Sequence, residues 1–358
     1  MNANSPEQVL REDIRALSPY PVSERTGLVL LDAMENPHPL PETLQAEIAQ
    51  LVSHAAINRY PDSQSVRLKE RLRDAMDISS ELGIMLGNGS DELIQIIALA
   101  VAKPGASLLT VEPAFVMYRM IASYAGLRYT GVQLGANFAL DVEAVIAAIE
   151  QNQPALVFVA YPNNPTGNLF DRDGMTRIIQ AAPGLVVIDE AYHIFAQQTF
   201  VPLLAEIPNL LVLRTLSKLG MAGLRLGFLV GRGDWLAQLE KLRLPYNVNV
   251  LTQIVAEKLL QHMDVLRVQA REINSQRDQL YAELSELPSV RAYPSDANFI
   301  LFRVTQADEV FEGLIKRGVL IKNLNRSHPL LKNCLRVTVG TAQQNQMFMQ
   351  ALKQSLIP

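Results

Sequence analysis

Short apolar runs alternate with amphipathic stretches through the middle of the chain. Between Asp91 and about Arg243, the intervening stretches have the spacing of helices, as in Asp171–Ala181. Runs that are apolar at every position are typical of strands buried on both faces, which occur in mainly parallel sheets covered by helices. The pattern therefore predicts an α/β domain with a mainly parallel central sheet. The predicted strands are Ser107–Val111, Ala155–Ala160, Leu185–Ile188, Leu210–Leu213 and Gly227–Val230.

The pattern changes after Pro245. A long helix with one polar face is predicted from roughly Thr252 to Leu287, where Pro288 ends it. The remainder predicts a smaller α+β domain. Its predicted elements are a strand at Ala297–Val304, a helix at Ala307–Arg317, a strand at Leu335–Val339 and a closing helix.

The segment before Asp91 is rich in proline. It predicts an extended arm, interrupted by a helix at Glu42–Val52, and such arms often reach a partner subunit. We expect three parts: residues 1–49 as the N-terminal arm with part of the small domain, 50–245 as the large domain, and 246–358 as the small C-terminal domain.

Composition narrows the class of protein. A chain of 358 residues with 49% hydrophobic residues is long enough for two lobes that share an interface. The 36 acidic and 32 basic residues include no basic block typical of nucleic-acid binding. We therefore expect no nucleic-acid partner.

The chain also gives no sign of a membrane or metal protein. Charged residues interrupt the segment Met1–Tyr20, so it lacks the continuous apolar stretch of a signal peptide, and the apolar run Leu93–Ala102 is about half a membrane span. The single cysteine, Cys334, excludes an internal disulfide, and no histidines have metal-binding spacing. We expect a cytoplasmic protein with no membrane partner and no metal site.

Three polar segments each follow a predicted strand. Ligands of parallel α/β sheets bind beyond the carboxyl ends of the strands, so these segments should converge on one crevice. The segments are Asn163–Gly167 (NNPTG), Asp189–Tyr192 (DEAY) and Thr215–Lys218 (TLSK).

These residue types suit an aldehyde-bearing pyridine cofactor. The Lys218 amine can form a Schiff base with an aldehyde, and the pyridine ring accepts electrons only while its nitrogen is protonated. Asp189, at the end of an apolar strand, can hold that proton because an opposite charge nearby favours the protonated ring. Asn164 and Tyr192 can contact the phenolate oxygen of the ring.

The cofactor phosphate needs an anion site of its own. The loop Gly87–Glu92 precedes the apolar helical run, and its glycines let the backbone and the helix N-terminus approach an anion. Ser217 and Arg225 can complete this site. Alone, each motif also fits an ordinary turn, a helix cap or a surface pair, but their joint occurrence at strand ends favours pyridoxal 5′-phosphate over coincidence.

The same motifs closely resemble those of fold-type I pyridoxal-phosphate aminotransferases, and within them the histidinol-phosphate aminotransferases. The resemblance extends over nearly the whole chain. It includes the loop and strand-end segments above together with Asn58–Asp62, Ala222–Gly227 and Cys334–Thr341.

The resemblance implies a role for each cofactor-site residue. Lys218 binds the cofactor, Asp189 pairs with its pyridine nitrogen, Asn164 and Tyr192 touch its phenolic oxygen, and Phe115 stacks on its ring. Ser90, Asp91, Ser217 and Arg225 surround its phosphate, joined by Tyr60 from the other subunit. A homodimer with shared active sites follows from the last contact.

The resemblance also implies the reaction. It is transamination between L-histidinol phosphate and 2-oxoglutarate, giving imidazole acetol phosphate and L-glutamate, in L-histidine biosynthesis. Arg336 matches the arginine that holds the carboxylate of substrates such as glutamate. We assign the phosphate of histidinol phosphate to a pocket of Tyr20, Lys322 and Arg336.

Other functions remain open from the sequence. An aromatic amino acid aminotransferase or a phosphothreonine decarboxylase has the same fold. A cofactor-free binding or regulatory module on this scaffold is a different class, since fold does not fix function. Lys218, Asp189 and Asn164 together argue against that class, because a buried charge such as Asp189 has no use there.

Overall fold

The computed structural model describes residues 5–19 and 26–356. The strands are β1 Val29–Leu30, β2 Gly83–Asn88, β3 Ser107–Glu112, β4 Arg128–Gln133, β5 Leu156–Ala160, β6 Leu185–Asp189, β7 Leu210–Thr215, β8 Leu226–Gly231, β9 Val290–Ala292, β10 Phe299–Val304, β11 Val319–Leu320, β12 Lys322–Asn323 and β13 Cys334–Thr338. The helices are α1 Pro6–Val9, α2 Glu12–Arg15, α3 Glu42–Ser53, α4 Val66–Ala75, α5 Ser90–Val101, α6 Val116–Tyr124, α7 Val142–Asn152, α8 Arg172–Ala181, α9 His193–Ala196, α10 Gly233–Leu239, α11 Val250–Leu260, α12 Met263–Ser285, α13 Ala307–Lys316 and α14 Ala342–Ser355.

A seven-stranded sheet forms the centre of the large domain. Its strand order is β2-β8-β7-β6-β5-β3-β4. The five strands from β7 to β4 are parallel, whereas β8 pairs antiparallel with both β7 and β2. Strands β5 to β8 are buried at every position, as their apolar sequences require. The predicted α/β fold with a mainly parallel central sheet is confirmed.

Two hydrophobic clusters cover the opposite faces of this sheet. Alternate residues of one strand enter different clusters: Val186 and Ile188 of β6 lie in one, and Leu185 and Val187 in the other. The sheet is therefore enclosed by apolar side chains on both faces, and polar groups concentrate where its strands end. In the part of the chain described, none of the helices combines the length and apolar character needed to cross a membrane.

A smaller unit contains the remaining sheets. One has the order β12-β13-β10-β9, and the other pairs β1 in parallel with β11. Leu31, next to β1, accepts a backbone hydrogen bond from Thr338 of β13, so the N-terminal segment joins the C-terminal unit. The boundary at residues 245 and 246 stays a prediction, because α11, just beyond it, packs on α3 and α4.

Two local predictions were wrong. The single helix expected from Thr252 to Leu287 is divided at Gln261 and His262, because α11 packs on α3 and α4 whereas α12 packs on α9, α14 and β9. The arm expected before Asp91 also contains α4 and β2. Leu68 and Leu72 of α4 lie one helical turn apart and are fully buried. Burial of this apolar face stabilises a helix within a proline-rich segment.

Candidate active site

Asp189 ends β6 with its carboxylate buried at the floor of the site. Its Oδ1 accepts from the backbone N–H of Ala191 at 3.0 Å, and its Oδ2 accepts from the hydroxyl of Tyr118 at 2.7 Å. Burial raises the pKa of Asp189 to about 6, although both hydrogen bonds oppose that shift. A cation beside this carboxylate would lower its pKa again, so the position suits a positively charged partner.

Tyr118 was missed by the sequence reasoning. It lies fully buried on α6 and stacks on Phe158 with ring centroids 4.9 Å apart. An aromatic residue on the apolar face of a helix is typical of the core, and only its hydroxyl distinguishes it. The fold therefore supplies a second support for Asp189 that no strand-end motif indicated.

Lys218 follows β7 in a short 3₁₀ turn, Ser217–Leu219. Its Nζ donates to the carbonyl oxygen of Ala33 at 3.0 Å and lies 5.9 Å from the ring centroid of Tyr192. Burial, and then the positive charge of Arg336, lower the pKa of Lys218 to about 8. A substantial fraction of this amine is therefore neutral, and nucleophilic, near neutral pH.

Asn164 connects Arg336 to Tyr192. Its Oδ1 accepts from Nη1 of Arg336 at 2.6 Å, which leaves its Nδ2 to donate to the Tyr192 hydroxyl at 3.2 Å. Arg336 also donates to the carbonyl of Asp32 at 3.1 Å and lies over the Phe299 ring. These contacts hold a buried guanidinium of β13 against the end of β5.

The predicted phosphate site corresponds to the N-terminus of α5. Ser90 and Asp91 begin this helix, after Gly89 at φ +85°. A Cβ added to Gly227 of β8 would lie 2.5 Å from the Ser90 nitrogen, so only glycine lets strand and helix approach this closely. The free N–H groups of the first turn, together with the helix dipole, favour a phosphate here.

Arg225, seven residues after Lys218, contacts this helix end. Its backbone adopts the left-handed conformation, with φ +51°. Its Nη2 lies 3.6 Å from Asp91 Oδ2, and its Nη1 donates to Ser217 Oγ at 3.4 Å. Burial raises the pKa of Asp91, and Arg225 opposes that shift.

A cavity of about 480 Å³ opens beside these groups. Lys322 of β12 pairs directly opposite Arg336 of β13, so two cationic residues are neighbours on its wall. Like charges placed opposite each other repel, which favours an anion between them. Predicted site residues on the lining are Phe115, Asn164, Lys322 and Arg336.

Two predicted residues stand apart from this group. Tyr60 is 80% exposed, and its ring stacks on Tyr246 with centroids 4.4 Å apart. Tyr20 lies outside the described residues, although Ser18 and Pro19 before it line the cavity. Contacts or electrostatic interactions connect the other predicted residues, while the role of each stays a prediction. These are Asp91, Phe115, Asn164, Asp189, Tyr192, Ser217, Lys218, Arg225, Lys322 and Arg336. Ser90 adjoins Asp91 at the start of α5.

Comparison with known proteins identifies the family. Residues 26–352 match the family model "Aminotransferase class I and II". The chain is 50% identical to the histidinol-phosphate aminotransferase of Chromobacterium violaceum, over 98% of this chain and 99% of that protein. It is 52% identical to histidinol-phosphate aminotransferase 2 of Nitrosococcus oceani, over 97% of each chain.

A solved structure agrees in fold. The histidinol-phosphate aminotransferase of Sinorhizobium meliloti, in complex with pyridoxal-5′-phosphate, superposes with a TM-score of 0.87 over 97% of each chain, at 22% identity. The fold-type I resemblance is thereby confirmed. The chain belongs to the class I and II aminotransferases, in the group of the histidinol-phosphate aminotransferases.

Proposed function

We propose that this protein is a pyridoxal 5′-phosphate-dependent aminotransferase that moves an amino group between L-histidinol phosphate and 2-oxoglutarate, giving imidazole acetol phosphate and L-glutamate. The supporting observation is that a buried amine at Lys218 and a buried carboxylate at Asp189 both lie within electrostatic range of Asp91, in the first turn of α5. The curated relatives that match the whole chain bear the name of this activity.

The residues present fit pyridoxal phosphate. Asp189 would pair with the pyridine nitrogen, Lys218 with the aldehyde carbon, and Asn164 and Tyr192 with the phenolic oxygen. Phe115 would cover the ring, while Ser90, Asp91, Ser217 and Arg225 would surround the phosphate. When bound, the cofactor supplies an electron sink for the carbon that bears the transferred amine.

The chain's own groups control protons and orientation. A Lys218 amine with a pKa near 8 loses its proton readily, so once displaced by the substrate amine it can act as the base that moves a proton at the substrate carbon. Ionised Asp189 keeps a proton on the ring nitrogen. Tyr118 assists by donating to that carboxylate.

The two substrates share one anion pocket. Arg336 binds the carboxylate of glutamate in one half-reaction and the phosphate of histidinol phosphate in the other, with Lys322 beside it. Tyr20 is proposed to join them, since Ser18 and Pro19 reach the same cavity. Charge-assisted hydrogen bonds give the pocket its preference for anionic groups.

We further propose a homodimer in which Tyr60 reaches the phosphate site of the partner subunit. Tyr60 and Tyr246 form an exposed stacked pair, and Ile57 and Leu244 near them are 74% and 72% exposed. Such apolar side chains on one surface are typical of a subunit interface. Cytoplasmic location is a separate proposal, supported by the single, buried Cys334, which suits a reducing compartment.

Substrate kinetics test the proposed function. We expect kcat/KM for histidinol phosphate to exceed that for histidinol by up to roughly 10⁴-fold, because the alcohol cannot form the charge-assisted hydrogen bonds that the phosphate makes with Arg336 and Lys322. Lys322→Ala and Tyr20→Phe should reduce this preference, whereas Lys241→Ala, an exposed lysine outside the cavity, should not.

Three results would contradict parts of the proposal. Equal kcat/KM values for phosphate ester and alcohol would exclude the phosphate pocket. A strong preference unchanged in both variants would place that pocket elsewhere. Faster turnover of phenylalanine or tyrosine, or release of carbon dioxide from phosphothreonine, would favour the aromatic aminotransferase or the decarboxylase.

A further inference from the structure

A buried carboxylate stands in the substrate cavity without a role in the proposed reaction. Glu112 is the last residue of β3 and is 9% exposed. Its Oε1 accepts from Arg119 Nη2 at 2.6 Å and from the Tyr129 hydroxyl at 2.8 Å. All three residues line the same cavity as Lys322 and Arg336. Glu112 is thus held in place by one of its two oxygens.

The second oxygen of Glu112, Oε2, occupies space that a side chain at Gly131 would otherwise fill. A Cβ added to Gly131 on the adjacent strand β4 would lie 2.4 Å from Oε2, so glycine at that position leaves room for the carboxylate. On the small-domain side, Nε2 of His328 is 3.9 Å from Oε2, beyond hydrogen-bond distance. Oε2 therefore keeps capacity to accept a hydrogen bond from a molecule in the cavity.

His328 is itself oriented by the backbone. Its Nδ1 accepts from the N–H of Leu330 at 3.2 Å, which assigns the proton of the neutral ring to Nε2, the atom that faces Glu112. The acceptor Oε2 thus lies between a strand of the large domain and a loop of the small domain. A ligand bound there would contact both.

The polar groups on the cavity lining are of two kinds. Arg336 and Lys322 are neighbouring cations that attract an anion, whereas Glu112, whose Oε1 is paired with Arg119, offers Oε2 as an acceptor to an N–H donor. A substrate with a phosphate at one end and a ring N–H at the other matches these two kinds of group. Histidinol phosphate has both groups, and its imidazole N–H is a good donor to a carboxylate.

We propose that Oε2 of Glu112 accepts a hydrogen bond from the imidazole N–H of histidinol phosphate and so selects the ring of the substrate. This inference rests on the proposed function. A bound ring without an N–H would exclude water from Oε2 without replacing the hydrogen bond that water makes, and would bind less well. Glu112 thereby determines specificity for the ring, while Arg336 and Lys322 recognise the phosphate.

The test compares two phosphorylated amino alcohols. Phenylalaninol phosphate retains the amine and the phosphate of histidinol phosphate but has no ring N–H. We expect Glu112→Gln to lower the ratio of kcat/KM for histidinol phosphate to that for phenylalaninol phosphate about tenfold or more. Gly131→Ala, which displaces the carboxylate without removing it, should lower the ratio in the same direction.

Glu240→Gln is the matched control. Glu240 also accepts from an arginine at 2.6 Å, through Arg243 Nε, but it lies outside the cavity, so its variant should leave the ratio unchanged. An unchanged ratio in Glu112→Gln, or an equal loss with both substrates in both cavity variants, would overturn the inference and leave the proposed function standing. A native enzyme that does not turn over histidinol phosphate would overturn both.

Discussion

Burial shifts the two central ionisable residues in opposite directions. It raises the pKa of Asp189 to about 6 and lowers the pKa of Lys218 to about 8, because the charged form of each is disfavoured away from water. A charged partner can therefore change the protonation state of either group near neutral pH. Pairing with a protonated pyridine would return Asp189 to its ionised form.

Lys218 is the first residue to test. We expect Lys218→Ala to lower turnover by on the order of 10³-fold or more, since both the attachment point and the base are lost. Some cofactor should still bind, because the phosphate and ring contacts remain. Borohydride reduction of the native enzyme followed by peptide mass spectrometry locates the attachment. Cofactor found on another lysine would contradict the assignment.

Tyr118 gives a prediction about pH. Its hydrogen bond lowers the pKa of Asp189, so Tyr118→Phe should raise that pKa further. The carboxylate is then protonated at a higher pH, and cofactor affinity should be lost earlier as the solution is acidified. Titration of the apoenzyme with pyridoxal phosphate at pH 5 to about 8 measures this shift.

Two variants calibrate that measurement. Phe158→Leu disturbs the ring stacked on Tyr118 but retains the hydroxyl, and should leave the midpoint close to the native value. Asp189→Asn should abolish the pH dependence and most activity, because the amide cannot stabilise a protonated ring. A Tyr118→Phe midpoint equal to the native one would show that the hydroxyl does not support Asp189.

At the level of elements, the contact of β8 with the start of α5 determines the anion site. A Cβ on Gly227 would meet backbone atoms of Gly89 and Ser90, so the strand and the helix end leave no space for a side chain there. Arg225, which immediately precedes β8, contacts both Asp91 at the start of α5 and Ser217 after β7. Neither element alone forms the site.

Gly227→Ala tests this contact. The added Cβ meets backbone atoms of Gly89 and Ser90, which cannot move without displacing the helix end. We expect the affinity for pyridoxal phosphate to fall roughly tenfold, or about 1.4 kcal/mol, which lies within the range of about 1–3 kcal/mol that overpacking typically costs. Absorbance titration of the apoenzyme measures the dissociation constant.

Gly223→Ala provides the control for that substitution. Gly223 lies in the connection that leads into β8, and a Cβ there would meet nothing within 4 Å. Its affinity for the cofactor should equal the native value. A native-like dissociation constant for Gly227→Ala would show that the phosphate is bound elsewhere.

Across the whole molecule, sequence reasoning succeeded where a motif follows a buried strand. Asp189 ends β6, Asn164 and Lys218 follow β5 and β7, and parallel strands bring their ends to one edge. Sequence reasoning failed where tertiary packing determines the role of a residue or the end of a helix. Tyr118 had the pattern of a core residue, and the break at Gln261 and His262 has no proline or glycine to mark it.

The proposed dimer is tested by mixing subunits. If Tyr60 acts in the partner's site, combining inactive Tyr60→Ala and Lys218→Ala chains should restore about a quarter of native activity at random pairing, because half of the dimers each regain one intact site. Each variant refolded alone is the control. Absence of any recovery would contradict a shared site.

The exposed stack of Tyr60 on Tyr246 also has a consequence for how the protein responds to concentration. If each site is completed by its neighbour, dissociation removes catalysis and cofactor retention together, so mass action governs both. Specific activity should then fall on dilution below the dissociation constant of the pair, and added pyridoxal phosphate should counter the loss by favouring the assembled form. The monomer–dimer equilibrium would thus determine the specific activity of a dilute solution.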